Sequence, residues 1–322
     1  MNLHNKKIYI AGTGGMVGGA IKRELERNKY RNLITRPSIE LDLTDQSRTE
    51  DFFASEKPEI VILAAARVGG ILANDTFRAE FIYNNLMIEA NVIHAAFRHK
   101  IDKLIFLGSS CIYPRLAPQP IKEEYLLSGP LESTNEPYAI AKIAGIKLCE
   151  NYYRQHGCNF ISVMPTNLYG VDDNFDLETS HVIPALIRKF HEEKTVNSDA
   201  VEVWGSGKPR REFLFVDDVA EAVRFVMENV DAASVYGEGI SHLNVGSGTD
   251  IEIGELATLI GKTVGFGGSI RFDTARPDGT PRKLLDTSRL TRMGWQFKTS
   301  LEDGLKKTYD WFLESQHKLD RK

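Results

Sequence analysis

A short apolar run that stops at a cluster of glycines constrains the fold of this chain more than any other feature. Ile8 to Ala11 lead into the spacing Gly12-x-x-Gly15-x-x-Gly18, and a helical pattern runs from about Met16 to Asn28. A buried strand, a tight glycine turn and a helix in this order are typical of the first unit of a doubly wound α/β sheet. Such a turn lets the backbone approach a pyrophosphate, and the helix N-terminus offers free N–H groups. The alternative is a tight strand-to-helix turn that holds no ligand.

Strands and helices alternate through the first half of the chain. Further strands are predicted at 32–35, 59–66, 103–110 and 160–165, and helices at 45–56, 77–100 and 137–156. Thr44 is the expected cap of the first of these helices. The alternation predicts right-handed crossovers and a parallel sheet with helices on both faces.

The rhythm changes after Gly170, where polar turns, short strands and helices replace the regular alternation. His242 to Val245 again has the pattern of a strand of the main sheet, whereas Arg276 to Arg282 is a basic, turn-forming loop. We therefore expect an α/β, doubly wound Rossmann domain with a smaller C-terminal substrate lobe. The expected nucleotide domain is 1–170 with a return segment at about 236–262, and the expected lobe is 171–235 with 263–322.

Charge and cysteine content exclude several classes of protein. The 322 residues carry a net charge of −4, which gives no support to a nucleic-acid or anionic-membrane partner. Cys111, Cys149 and Cys158 are too few and too scattered for a disulfide framework or a zinc site, so no metal is expected. The apolar runs are too short for a secretory leader or for the roughly 18 residues of a membrane span. We therefore expect a cytoplasmic protein with reduced thiols.

The residue after the second predicted strand bears on the choice of dinucleotide. Arg36 stands where an acidic residue usually holds a free ribose 2′-hydroxyl. An arginine there suits a 2′-phosphate, so NADP is favoured over NAD. Glu40 and Asp42 follow within a few residues and leave NAD open. The other alternative for Arg36 is a solvated surface residue.

Tyr138 and Lys142 stand four residues apart on a predicted helix and therefore share one face. A phenol is a serviceable acid at neutral pH, and a nearby ammonium lowers its pKa. Ser109, Ser110 and Cys111 follow the fourth predicted strand, at the sheet edge where ligands bind. If the extended geometry persists, Ser109 and Cys111 face the same side and line one pocket wall. The alternatives are a solvent-exposed Tyr–Lys pair and a Cys111 that fills apolar space.

The glycine turn, Ser109 and Tyr138-x-x-x-Lys142 together resemble the extended short-chain dehydrogenase/reductase family, and the resemblance covers essentially the whole chain. Longer strings resemble the epimerase-reductases of that family that act on a GDP-linked ketosugar. These strings are GSSCIYP at 108–114, NEPYAIAK at 135–142, PTNLYG at 165–170, SHVIP at 180–184 and RPDGT at 276–280. The resemblance implies conversion of GDP-4-keto-6-deoxy-D-mannose to GDP-L-fucose, by epimerisation at C3 and C5 followed by reduction at C4 with NADPH.

The resemblance also implies catalytic roles. Tyr138 would donate the proton in ketone reduction, with Lys142 tuning it, and Ser109 would hydrogen-bond the keto oxygen. Cys111 and His181 would be the base and the acid that invert C3 and C5. A helix-capping or surface histidine is the alternative for His181. The helices at 77–100 and 137–156 resemble a pair that forms a homodimer.

Binding roles follow from the same resemblance. The expected NADP contacts are Gly12, Thr13, Gly14, Gly15, Met16, Val17, Gly18, Arg36, Leu107, Gly108, Ser109, Ser110, Lys142, Pro165, Thr166, Asn167, Leu168 and His181. The expected contacts to the GDP-sugar are Lys189, Trp204, Arg211 and Asp278. The family often carries an arginine where this chain has Gly14, so more of the NADP expectation rests on Arg36.

One polarised carbonyl can serve both steps. Protons next to a ketone are acidic because the enolate places charge on oxygen, where donors such as Ser109 and Tyr138 stabilise it. Cys111 and His181 titrate near enough to neutral pH to take and return a carbon proton. Two other functions stay open: a plain sugar-nucleotide reductase, epimerase or dehydratase, and a non-catalytic NADP sensor or scaffold. The intact Tyr–Lys–Ser set argues against the non-catalytic function.

Overall fold

The computed structural model describes residues 3–177, 179–276 and 278–319 of the chain. The strands are β1 (Ile8–Ala11), β2 (Leu33–Ile34), β3 (Ile60–Leu63), β4 (Lys103–Leu107), β5 (Phe160–Pro165), β6 (Asn167–Tyr169), β7 (Ala200–Trp204), β8 (Arg210–Phe215), β9 (Leu243–Val245), β10 (Asp250–Glu252), β11 (Ser269–Asp273) and β12 (Arg282–Lys283). The helices are α1 (Met16–Arg27), α2 (Gln46–Glu56), α3 (Ile71–Thr76), α4 (Arg78–Arg98), α5 (Glu136–His156), α6 (Val182–Thr195), α7 (Val216–Asn229), α8 (Ala232–Tyr236), α9 (Ile253–Val264), α10 (Ser288–Arg292) and α11 (Leu301–Leu319).

A parallel sheet of six strands, in the order β2-β1-β3-β4-β5-β9, forms the centre of the molecule. The strands β1, β3, β4 and β5 are buried along their whole length, as their apolar runs predicted. The strand order changes direction between β1 and β3, and the carboxyl ends of two such strands flank a ligand crevice. The prediction of a doubly wound parallel sheet is confirmed, and so is the return strand near His242 to Val245.

Two apolar layers cover the sheet, because successive side chains of a strand point to opposite faces. Ile8 and Ile10 pack on one face, in the layer that contains α1 and α7. Tyr9 and Phe106 pack on the other face, in the layer that contains α2, α4 and α5. Helix α5 starts at the carboxyl edge of the sheet, and Pro137 lies in its first turn, where a missing N–H is harmless. The tyrosine that follows is thereby placed at the ligand edge.

A third apolar cluster marks the smaller lobe. Phe190 of α6, Leu256 of α9, Leu305 of α11 and Phe213 of β8 are buried in it. Helix α7, by contrast, packs on α1 beside the main sheet. The expected division assigned 216–229 to the lobe and 253–262 to the nucleotide domain. The packing of α7 and α9 places each of these segments on the opposite side of that division.

Two local expectations differ from the structure. The cap of α2 is Asp45 and not Thr44, because the Asp45 carboxylate accepts the Arg48 N–H at 3.1 Å. The helix expected at 77–100 is confirmed as α4 (Arg78–Arg98), and the short helix α3 precedes it. Strand β4 ends at Leu107, and a 3₁₀ turn spans Ser110–Ile112. The extended geometry assumed from Ser109 to Cys111 is therefore wrong.

Within the described ranges, no helix combines the length and the apolar composition needed to cross a membrane. No group of three or more potential metal ligands comes together there. Cys111, Cys149 and Cys158 are free thiols, and the first two are buried.

Candidate active site

The glycine turn after β1 is shaped by contacts that only glycine allows. Gly12 has a φ of 93°, and a Cβ there would lie 2.6 Å from the Ala65 nitrogen after β3. A Cβ at Gly18 would lie 2.2 Å from the Gly12 carbonyl oxygen. A Cβ at Gly14 would meet nothing within 4 Å. The turn is thus locked to α1 and β3, while Gly14 lies at an open surface that can receive a dinucleotide.

The start of α1 fits the phosphates of such a ligand. Its N-cap is Gly15, whose residue type provides no side chain to satisfy the first N–H groups of the helix. Those N–H groups and the positive end of the helix dipole are suited to a pyrophosphate. The sequence-predicted contacts at 12–18 therefore lie together at the carboxyl edge of β1.

Arg36 lies two residues beyond β2, as expected for a contact to the adenosine ribose. Its guanidinium donates to the Thr35 carbonyl oxygen at 2.8 Å and to Glu56 Oε1 at 2.5 Å, and it lies 5.9 Å from the centre of the Phe52 ring. Arg36 is therefore held in one orientation at the ribose end of the crevice. A phosphate there would share it with the Glu56 carboxylate.

Tyr138 and Lys142 share one face of α5, as their spacing predicted. The Lys142 ammonium lies 5.7 Å from the centre of the Tyr138 ring and donates to the Leu107 carbonyl oxygen at 3.0 Å. It also forms a buried ion pair with Glu89 of α4, with Nζ and Oε1 3.0 Å apart. Phe81 packs edge-on against Tyr138, with ring centres 6.4 Å apart. The pair is thus fixed between α4 and the end of β4.

Electrostatics keep Tyr138 in its proton-donating form. The pKa of Tyr138 lies well above its usual value, mainly because the phenol is buried and to a lesser extent because Cys111 and Glu89 are nearby. This direction is opposite to the lowering expected from Lys142. A protonated phenol suits a residue that gives a proton to a ketone oxygen during reduction.

The turn after β4 brings Ser109 and Cys111 together by a route other than strand alternation. The Cys111 N–H donates to Ser109 Oγ at 3.4 Å, within the 3₁₀ turn. Burial raises the pKa of the Cys111 thiol, while Lys283, the Ser109 side chain and Lys142 act to lower it. Cys111 and Lys283 line the same pocket. The cysteine therefore faces a cationic pocket wall.

His181 stands at the N-cap of α6, in the helix-start position that the sequence predicted. The His181 side chain reaches solvent, as a side chain on the wall of a cleft does. The protein atoms around it partly desolvate the imidazole, and this desolvation lowers its pKa. The preceding segment is tied to the loop after β3, since the Gly70 N–H donates to the Thr179 carbonyl oxygen at 2.8 Å. The His181 imidazole is thereby held at the border between sheet and lobe.

The four residues expected to bind the GDP-sugar form two pairs on the lobe, one in direct contact and one linked by charge. The Lys189 ammonium lies 4.6 Å from the centre of the Trp204 indole, and Arg276 lies 4.8 Å from it. Trp204 is 52% exposed, so a flat aromatic surface faces solvent between two cations. Arg211 interacts electrostatically with Asp278.

The segment after Trp204 joins the two pairs. Ser206 donates to Asp278 with its N–H at 2.9 Å and with its hydroxyl at 2.6 Å. These bonds and the nearby Arg211 hold the pKa of the Asp278 carboxyl below its usual value. The substrate set predicted from the sequence is therefore one continuous surface.

The segment at 165–168 crosses from the sheet to the lobe. Thr166 and Asn167 bind the Glu212 carbonyl oxygen of β8, at 3.2 and 2.8 Å. The buried Glu212 carboxylate accepts the N–H groups of Gly248 and Leu285, at 2.7 and 2.9 Å. These hydrogen bonds fix the position of β8, a strand of the lobe, relative to the carboxyl edge of the main sheet.

Sequence reasoning missed three residues of this site. Lys283 lies beside Cys111, Glu89 pairs with Lys142, and Arg276 flanks Trp204. Each of the three is far in sequence from the site residue that it contacts. No local sequence pattern could therefore have identified them. Arg276 was noticed only as part of a basic loop.

Comparison with known proteins shows the family. Residues 8–246 match the NAD dependent epimerase/dehydratase family. The chain belongs to this family. GDP-L-fucose synthase from Escherichia coli (strain K12) is 57% identical over 321 residues, covering 98% of this chain and 99% of that protein. Putative GDP-L-fucose synthase 2 from Arabidopsis thaliana is 58% identical over 309 residues, covering 96% and 92%.

A solved structure shows the same likeness in three dimensions. The crystal structure of a GDP-L-fucose synthetase from Naegleria fowleri bound to NADP matches with a TM-score of 0.86 at 29% identity, covering 96% of this chain and 94% of that chain. The likeness to this structure therefore includes the lobe as well as the sheet.

Proposed function

We infer that the protein is an NADPH-dependent epimerase-reductase, a GDP-L-fucose synthase that converts GDP-4-keto-6-deoxy-D-mannose into GDP-L-fucose. The observation that carries this function is similarity over nearly the whole chain to proteins of that name. The arrangement of Ser109, Cys111, Tyr138 and Lys142 at one sheet edge supports it, because one polarised ketone there can be both enolised and reduced.

We propose that NADP lies across the glycine turn, with its pyrophosphate at the start of α1 and its 2′-phosphate at Arg36. The open space at Gly14 and the locked turn fit this placement. The segments 107–110 and 165–168, together with Lys142 and His181, would border the nicotinamide end. When bound, NADPH supplies the hydride for reduction of the C4 ketone.

In the epimerisation, Ser109 and Tyr138 donate hydrogen bonds to the C4 oxygen, on which the enolate charge develops. The Cys111 thiolate takes the carbon proton, and His181 returns a proton to the same carbon from the opposite face. Lys283 and Ser109 counteract burial and so favour the thiolate of Cys111. Because desolvation lowers the pKa of His181, its imidazolium gives up a proton readily. The exchange occurs once at C3 and once at C5. Between the two inversions, the Cys111 thiol gives its proton to solvent and the His181 imidazole takes a proton from solvent.

In the reduction, Tyr138 gives its proton to the C4 oxygen as the carbonyl becomes an alcohol. Lys142, fixed by Leu107 and Glu89, keeps a positive charge close to the phenol oxygen as that oxygen becomes negative. On the lobe, Trp204 offers a stacking surface for guanine. Lys189, Arg211 and Arg276 provide positive charge for the diphosphate, and Asp278 orders the loop between them.

The test is to incubate the purified protein with NADPH and GDP-4-keto-6-deoxy-D-mannose, and to follow cofactor absorbance and the configuration of the product. Cofactor oxidation with an L-galacto product is expected. Oxidation with a D-configured product would leave only a C4 reductase and remove the epimerase roles of Cys111 and His181. Absence of oxidation would refute the proposed substrate.

We propose a division of the chain in which 1–170, 216–245 and 288–295 form the nucleotide domain and 171–215, 246–287 and 296–319 form the main part of the lobe. The packing of α7 beside α1, of α9 beside α6, and of β9 beside β5 supports this division. Limited proteolysis with and without NADPH tests it, since the dinucleotide should protect the first set of segments more than the second.

We also propose a homodimer formed through α4 and α5, which pack side by side. Tyr83 on α4 and Ile140 on α5 are 61% and 41% exposed, which supports a further apolar contact there. Light scattering of the wild type and of Ile140→Asp should give a dimer and a monomer. A cytoplasmic location is proposed as well, because the free Cys111 and Cys149 thiols suit a reducing compartment.

A further inference from the structure

A buried carboxylate lies behind the catalytic pair Tyr138 and Lys142. Glu89 of α4 is 1% exposed, and its ion-pair partner Lys142 is 2% exposed. The Lys142 ammonium is otherwise in contact with the Leu107 carbonyl oxygen and with the face of Phe106, whose ring centre is 4.7 Å away. Glu89 therefore supplies the negative charge that balances the buried ammonium.

The facing helix is built to admit this carboxylate. A Cβ at Gly145 of α5 would lie 2.7 Å from Glu89 Oε2 and 2.5 Å from Phe106 Cζ. Only glycine at that position leaves room for Glu89 to reach across to Lys142. Within the described residues, neither carboxylate oxygen has a well-aligned hydrogen bond, so the ion pair is its main compensation for burial.

We propose that Glu89 is a positioning residue of the reduction step. Its carboxylate fixes the Lys142 ammonium beside Tyr138, and its negative charge keeps the Tyr138 phenol protonated until it donates to the substrate. The proposal rests on the proposed function, because it is the reduction of a ketone that requires a protonated phenol at this place.

The charged and titratable groups around the pair agree with this role. Lys142, Tyr138 and Cys149 face Glu89 from α5, and Cys111 faces Tyr138 from the turn after β4. Burial raises the pKa of Glu89 to about 7, with Lys142 acting in the opposite direction. Glu89 is therefore ionised in alkaline solution, where the phenol begins to titrate. Loss of its charge lowers the pKa of Tyr138 and brings the phenolate to lower pH.

The first experiment needs no substrate. Protein is labelled with tyrosine enriched at Cζ, and the Tyr138 resonance is assigned with Tyr138→Phe and followed by NMR against pH. Glu89→Gln should move the titration of Tyr138 to lower pH by about one unit or more. Glu89→Asp, which keeps the charge, should restore most of the wild-type value. An unchanged titration in Glu89→Gln would overturn the proposal.

A matched control is available on α5. Glu150 is 8% exposed and pairs with Lys147 and Arg154, both at 2.8 Å. Glu150→Gln removes a paired carboxylate from the helix that carries Tyr138 but should leave the Tyr138 titration unchanged. If Glu89→Gln does not fold because Lys142 is left unpaired, Lys142→Met is compared with the double variant Lys142→Met/Glu89→Gln. Tyr138 should then titrate at lower pH in the double variant than in Lys142→Met. Titration at the same pH in both variants would refute the proposed role of Glu89.

Kinetics provide the second readout. In Glu89→Gln, the alkaline limb of the pH profile for NADPH oxidation should move to lower pH, in parallel with the NMR titration of Tyr138. Glu89→Asp should reverse this shift. A purely structural role would lower the rate without moving the limb. If the wild type does not oxidise NADPH with the ketosugar, the proposed function fails, while the NMR titration still decides whether Glu89 controls Tyr138.

Discussion

Two glycines of the same turn offer a sharp test of the dinucleotide site. A Cβ at Gly18 would lie 2.2 Å from the Gly12 carbonyl oxygen, whereas a Cβ at Gly14 would meet nothing within 4 Å. The contacted atom, the Gly12 carbonyl oxygen, belongs to the backbone, so no side chain can swing away. In Gly18→Ala the turn itself has to shift, and in Gly14→Ala it does not.

The magnitude follows from the cost of overpacking. Inserting a methyl group into a closed contact costs about 1–3 kcal/mol. If this cost falls on the ligand-binding form of the turn, the Kd for NADPH rises between about 5-fold and about 150-fold in Gly18→Ala. Gly14→Ala should bind within about twofold of the wild type, since its methyl group occupies open space.

The assay is titration of the fluorescence of NADPH with each variant, accompanied by thermal unfolding without ligand. Alanine is favoured over glycine inside a helix by about 1 kcal/mol, so Gly18→Ala should lose less stability than affinity. Equal affinity in both variants would refute the reasoning. Weaker binding in Gly14→Ala than in Gly18→Ala would do so as well.

Three further predictions concern the catalytic and substrate residues. Tyr138→Phe should slow NADPH oxidation by about 10²–10⁴-fold, with a much smaller loss of C3 and C5 solvent exchange because Ser109 remains, as measured by absorbance and by deuterium exchange. Lys283→Met removes a charge that lowers the pKa of Cys111. The acid limb of C3 and C5 exchange against pH should therefore move to higher pH by about one unit, and an unmoved limb would exclude this role. Trp204→Ala should raise the KM for the GDP-sugar by about 5-fold to 100-fold at unchanged Kd for NADPH, and an unchanged KM would place guanine elsewhere.

The nucleotide half of the fold was predictable because its signals are local. The four-residue run at Ile8–Ala11 and the glycines after it dictate strand, turn and helix within about twenty residues. Tyr138 and Lys142 were equally accessible, because helical periodicity alone places them on one face. The resemblance to known enzymes added roles that these patterns do not contain.

Features that depend on contacts between distant segments could not be predicted from the sequence. Asp45 and Thr44 are both acceptable caps by residue type, and only the backbone conformation selects Asp45. The turn at Ser110–Ile112 bends the chain after β4 and replaces the strand geometry that alternation assumes. Glu89 has the residue type of a solvated helix face, and its burial depends on Gly145 of another helix.

The lobe was the least predictable part. Its apolar core draws on α6, α9 and α11, which are separated by long stretches of sequence. Helix α7 interrupts this series and packs against the sheet layers, so no single boundary in the sequence divides the two units. Lys283 reaches the Cys111 pocket through the pairing of β12 with β8, which no short pattern indicates.

The central claim is that one site exchanges the protons at C3 and C5 and then reduces C4. The most direct measurement is NMR of the sugar formed from GDP-4-keto-6-deoxy-D-mannose and unlabelled NADPH in deuterium oxide. Deuterium at both C3 and C5, hydrogen at C4 and an L-galacto configuration are expected. A reduced product that retains hydrogen at C3 or C5 would contradict the account, because Cys111 and His181 could not then have inverted that carbon through solvent-exchangeable protons.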